Sequence, residues 1–96
     1  MAISPVPLFT LGRVGATPGA LAILQGDHTL ASMLVTRHNH GDFGDICDDD
    51  AGLNIEAIKL GRARIMSVYK LFKMGDLWII TDADRSATTI LTPSEY

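Results

Sequence analysis

An α+β fold, helices first and an antiparallel β-meander after them, is predicted for this 96-residue chain by three observations. Apolar residues follow helical spacing behind recognisable caps in the first two thirds of the chain. After Gly61 the period changes from 3.6 to 2. The stretch Leu77–Pro93 then holds two β-rich runs around a polar turn. Runs of helices followed by runs of strands argue against a doubly wound α/β arrangement. The expected architecture is three short helices packed on a three-stranded antiparallel meander, with a fourth, N-terminal strand as an option. The length fits one domain, residues 1–96.

Met1–Pro7 holds two prolines and reads as an extended arm. Leu8–Ala16 reads as a short strand weakened by Gly12 and Gly15. Thr17-Pro18 is a helix start, with Thr as N-cap and Pro at the first helical position. The helix is expected over Gly19–Gln25, stopped by Gly26. Asp27 or Thr29 caps a second helix running to about His38, with Leu30, Met33, Leu34 and Arg37 on one face. Asn39–Gly44 is a loop. One of Asp48, Asp49 and Asp50 caps a third helix, and the others favour its first turn through the macrodipole. Leu53, Ala57 and Leu60 are expected on one side of it, with Ile55 and Ile58 close by, and Gly61 ends it.

Arg62–Lys70 alternates as a strand, with Ala63, Ile65, Ser67 and Tyr69 facing one way. Arg64, Met66, Val68 and Lys70 face the other. Met74-Gly75-Asp76 is a turn. Leu77–Thr81 and Ala87–Thr92 form a hairpin across Asp82–Ser86, with Trp78 as a core anchor. Pro93 ends the sheet, and Ser94-Glu95-Tyr96 is a short tail.

Apolar residues make up 47% of the chain and charged residues 20%, the values of an ordinary globular protein. No apolar run approaches the roughly 20 residues that span a bilayer. The N-terminus lacks the pattern of a signal peptide. Together with a single cysteine, Cys47, these features predict a cytoplasmic protein with no membrane partner. The net charge is −3, unevenly distributed. Residues 1–50 carry two basic groups, Arg13 and Arg37, against six acidic ones, five of them within Asp42–Asp50. A nucleic-acid binder normally carries a basic footprint, so direct nucleic-acid binding is not expected. An acidic face suits a basic partner.

Two sets of residues could carry chemistry. His38 or His40 could act as a general base, with Arg64 and Arg85 (beside Arg62 and Lys70) to hold a phosphate and Ser86 (with Thr88 and Thr89) to position it. A metal-independent ribonuclease needs such a set, but only if the side chains converge in one cleft. His38, His40, Asp42 and Cys47 are neighbours in sequence, yet their spacing matches no zinc pattern. Neither a metal nor a cofactor is expected.

Three groups of residues carry a family resemblance. They are Leu11-Gly12-Arg13 with Ala16–Leu21; Arg37-His38 with His40–Asp45; and Trp78–Thr81, Ala83–Ser86, Thr88–Leu91 and Pro93. Together they resemble a family of small "plasmid-related" proteins of bacterial plasmids and integrative elements. The chain departs from that pattern at Phe43, where the family usually has Trp, and at Asp82, where it usually has Glu. The resemblance implies a mobile-element setting, in which small proteins disarm CRISPR–Cas or restriction systems and others act as toxins. The helices-then-meander topology is also similar to that of barnase- and RelE-like ribonucleases, a likeness of fold alone.

The leading expectation is a protein that binds a host defence complex through its carboxylates. The carboxylates are Asp42, Asp45, Asp48, Asp49 and Asp50 with Asp82 and Asp84 of the turn, and Arg85 of the same turn joins them as a binding residue. The ribonuclease built on His38, His40, Arg64, Arg85 and Ser86 is the alternative. A structural or regulatory oligomer, such as a homodimer, is a third reading, with Trp78 or Tyr69 exposed in an apolar patch.

Overall fold

The computed structural model describes residues 3–96, so the start of the expected arm, Met1 and Ala2, lies outside the described residues. The chain order is β1 (Arg13–Ala16), α1 (Pro18–Leu24), α2 (His28–Asn39), α3 (Asp48–Leu60), β2 (Ile65–Lys70), β3 (Asp76–Thr81) and β4 (Ala87–Leu91), closed by a 3-10 turn at Pro93–Glu95. The sheet order is β1-β4-β3-β2. β2, β3 and β4 form the antiparallel meander, and β1 adds to β4 in parallel. The α+β class and the N-terminal fourth strand are therefore both present.

Local signals place the element ends. Gly12 takes a left-handed φ of 64°, which breaks the extended chain and shortens β1 to four residues. The segment before it is held by α2 instead: Ser4 N–H bonds His40 C=O and Leu8 N–H bonds Asn39 C=O. Thr17 caps α1, its hydroxyl accepting from Ala20 N–H. Asp27, rather than Thr29, caps α2 through a bond from Leu30 N–H. In α3 the capping position falls to Cys47, which makes no side-chain cap bond, and all three aspartates occupy the first turn. Their charge still suits that helix end.

On two helices the apolar residues that share a side are not all buried. Met33 of α2 is half exposed, and the inward stripe is Leu30, Leu34 and His38, with Ala31 and Val35 beside it. In α3 the packed residues are Asn54 and Ala57, while Leu53 and Leu60 are 63% and 55% exposed. The physical reason is the position of α3 beside edge strand β2. There the Asn54 amide finds hydrogen-bond partners in the strand backbone, which a leucine could not supply.

One face of the sheet packs on α1 and α2 around Ala20, Leu24, Leu34, Tyr69, Leu77, Ile79 and Ile90. A second cluster joins Phe43, Ala57 and Ile65. Among the described residues, the opposite face carries no α-helix. There the C-terminal residues fold back instead of trailing as a tail: the Tyr96 ring lies 5.3 Å from Trp78, and the Arg64 guanidinium sits 5.0 Å from the Tyr96 centroid. Glu95 fixes this turn by accepting from the Thr17 hydroxyl, Gly19 N–H and Thr92 N–H. Its carboxyl is consequently pulled down to about 2, chiefly by the Thr17 hydroxyl.

Candidate functional site

The helix face that carries Leu30 and Leu34 also brings His38 against the sheet. Ser67 and Thr81 meet it there because alternate strand residues point inward. The result is a buried polar chain. Thr88 Oγ1 donates to Leu11 C=O at 2.7 Å, so it must accept from the Thr81 hydroxyl, also at 2.7 Å. Thr81 Oγ1 then accepts from His38 Nε2–H at 2.9 Å, and His38 Nδ1 accepts from the Ser67 hydroxyl at 2.6 Å. One donor direction satisfies every bond, and it requires the neutral Nε2–H tautomer of His38. Burial lowers the imidazole to about 4, in keeping with this. Sequence reasoning missed the network. Its one visible trace was His38 standing four residues after Leu34 on the inward stripe.

The other residues of the catalytic alternative lie elsewhere. His40 Nδ1 is bonded to Ser4 C=O at 3.0 Å. Arg64 stacks on Tyr96 across the opposite sheet face from His38. Arg85 adopts a left-handed φ of 62° and folds its guanidinium back on the chain. It donates to Ala63 C=O at 2.7 Å, Ala83 C=O at 2.9 Å, Asp82 C=O at 3.2 Å and Ala57 C=O at 3.0 Å. Arg85 thus ties the β3–β4 turn to the C-terminal end of α3, where free carbonyls favour a cation. Ser86 contributes its N–H to Asp84 and its C=O to Arg13 N–H. Phe9 touches both His38 and Arg85, with its centroid 5.2 Å from the imidazole and 5.9 Å from the guanidinium carbon. His38, His40, Arg64 and Arg85 are each engaged by a separate structural partner, and no described hydrogen bond joins any two of them.

No family model, curated protein or solved structure matches the chain.

The carboxylates divide into three environments. Asp42 is engaged by Arg37, with Nε to Oδ2 at 2.7 Å and Nη2 to Oδ1 at 3.3 Å. This hydrogen-bonded pairing holds the Asp42 carboxyl below its ordinary range. Arg37 in turn lies 4.7 Å over the Tyr69 ring, whose hydroxyl donates to Asp42 C=O. Tyr69 is buried, and burial pushes its phenol up to about 12, so it forms no exposed apolar patch. Asp82 and Asp84 are exposed in the β3–β4 turn, at the C-terminal end of α3. Asp45, Asp48, Asp49 and Asp50 are exposed at its N-terminal end. A helix of 13 residues separates the last two groups by about 20 Å.

The second of these exposed groups borders an apolar groove. Leu53, Ala57, Leu60 and Met66 line a groove of about 460 Å³, with Asp50 and Glu56 on its acidic side and Arg62 and Arg64 on its basic side. Leu53 and Leu60, expected on one side of α3, share it with Ala57 and form a surface feature continuous with the acidic first turn of the helix. Among the described residues, no group of three or more His, Cys, Asp and Glu side chains is placed to hold a metal ion. None of the described helices is long and apolar enough to cross a membrane.

Proposed function

We propose that this protein acts by protein–protein contact, presenting Asp45, Asp48, Asp49 and Asp50 together with the Leu53–Leu60 groove to a basic surface of a host defence assembly. The carrying observation is that Asp50 lines an exposed apolar groove of α3 whose first turn also holds the exposed Asp48 and Asp49, with exposed Asp45 just before the helix. Protein interfaces combine an apolar centre with a polar rim, and charge complementarity sets partner choice. The mobile-element resemblance supplies the setting: a CRISPR–Cas or restriction complex offers a basic nucleic-acid channel that an acidic face can occupy. The burial of His38 and the engagement of the Arg85 guanidinium by backbone carbonyls support binding over the ribonuclease alternative.

The test changes Asp45, Asp48 and Asp49 to Ser together and measures phage plating on hosts carrying a restriction or CRISPR–Cas system. Co-purification of defence subunits is followed in parallel. The wild-type chain is expected to suppress defence and retain a subunit of the complex, and the triple variant to lose both while keeping its circular dichroism. A folded triple variant that still inhibits at wild-type strength refutes the acidic-face reading. The double change Asp82→Ser and Asp84→Ser, at the far end of α3, serves as the control.

A further inference from the structure

The two edges of the sheet are treated differently. On β2 the outward backbone groups of Met66 and Val68 are satisfied, and those of Lys70 at the strand end are not: Asn54 pairs with Met66, and Val68 bonds Phe43 C=O and Asp45 N–H. β1 has no such cover. Arg13, Gly15 and Thr17 direct their backbone groups to β4, which turns the N–H and C=O of Val14 and Ala16 outward. No described hydrogen bond uses these four groups. An open edge of this kind templates the addition of another strand.

Among the described residues, neither packing nor backbone conformation requires glycine at Gly15. A Cβ built on it meets nothing within 4 Å, and its φ is not left-handed. A glycine inside a strand often marks a site where a ligand or another backbone approaches closely. Val14 is 46% exposed over a hollow lined by Ala31, Val35 and Ile90, and Leu21 beside it is 56% exposed.

We propose that two copies of this chain pair through β1 in antiparallel fashion about a two-fold axis at Gly15, joining two four-stranded sheets into one. Val14 of each copy then exchanges both backbone bonds with Ala16 of the other, and the two Gly15 residues face each other at the narrow, non-hydrogen-bonded position. The same register sets Arg13 opposite Thr17 of the second copy, with both side chains on the helix-free face. Thr17 holds Glu95 there. Arg13 is exposed and has no ion-pair partner among the described residues, so each Arg13 meets a Glu95 carboxylate across the axis. The charge match occurs twice, as an isologous interface demands. Val14 of the second copy covers the hollow beside Leu21. α3 stands at the opposite edge of each sheet, so the dimer carries its two acidic faces outward.

Sedimentation of the purified full chain over a wide concentration range, with amide exchange read at Val14 and Ala16, tests this. A dimer is expected, with the exchange of these two amides slowing as it forms. Val14→Pro removes an outward donor that β4 does not use, and is expected to weaken the dimer about tenfold or more. Gly15→Lys fits the open space of one copy but sets like charges across the axis, and is expected to yield folded monomer. A chain that stays monomeric at every concentration overturns the proposal and leaves the edge to a strand of another protein. A dimer whose Val14 and Ala16 amides exchange freely, or one that persists unchanged in folded Gly15→Lys, overturns it as well.

Discussion

The side-chain amide of Asn54 bonds both backbone groups of Met66, with Nδ2 donating to the C=O at 2.8 Å and Oδ1 accepting from the N–H at 3.1 Å. A side chain here takes the place of a missing neighbouring strand. It closes one edge of the sheet and fixes the position of α3.

Asn54→Ala is expected to cost about 2 kcal/mol, the net worth of two hydrogen bonds, and to promote aggregation by opening the β2 edge. Leu53→Ala, one residue away, is expected to change stability by no more than about 0.5 kcal/mol, because Leu53 is exposed. Urea unfolding of both variants checks this. The order is the reverse of what hydrophobicity alone would suggest.

His38 makes stability depend on pH. Its folded value of about 4 lies below the ordinary 6.5, so between these values the unfolded chain binds the extra proton. Stability is therefore full above pH 6.5 and falls as pH drops towards 4, by a total on the order of 3 kcal/mol. Glu95 acts in a lower window: its folded value of about 2 is below the ordinary 4.5, so its contribution is present above 4.5 and lost as pH falls towards 2. Denaturation midpoints measured across pH, with His38→Gln and Glu95→Gln, separate the two slopes. His38→Gln should flatten the upper one and leave the lower unchanged.

Arg85→Ala is expected to destabilise the fold by about 2–3 kcal/mol, since charged donors to four carbonyls are lost at once. Arg85→Lys should recover part of this, because one ammonium cannot span the carbonyls of Ala57 and Ala63 as the planar fork does. Defence inhibition measured per folded molecule should be unchanged in Arg85→Lys. The readout distinguishes an internal clamp from a contact residue.

Several of these features could be read without the structure, and others could not. Thr17-Pro18, Asp27 and Gly61 act within one turn of chain, so the helix limits they set were legible. Ile65, Ser67 and Tyr69 were correctly placed on one strand face because the period of 2 is a backbone property. Arg85 and His38 were legible as reactive types only. Their distant partners lie 22 to 43 residues away, at carbonyls and hydroxyls that any sequence supplies in number.

The sequence by itself determined the α+β class, the order of elements, the caps and the acidic run before α3. These follow from backbone dihedral preferences, side-chain period and local charge, which need no distant neighbour. Only the tertiary structure decided which polar groups are free to act. Leu53 and Leu60 became surface because Asn54 found a strand edge, and His38 became inert because Ser67 and Thr81 enclosed it. Arg85 was taken up by the end of α3, while Val14 and Ala16 kept open backbone groups. Hydrogen-bond satisfaction in a folded chain is settled by non-local pairing, and local pattern carries little record of it.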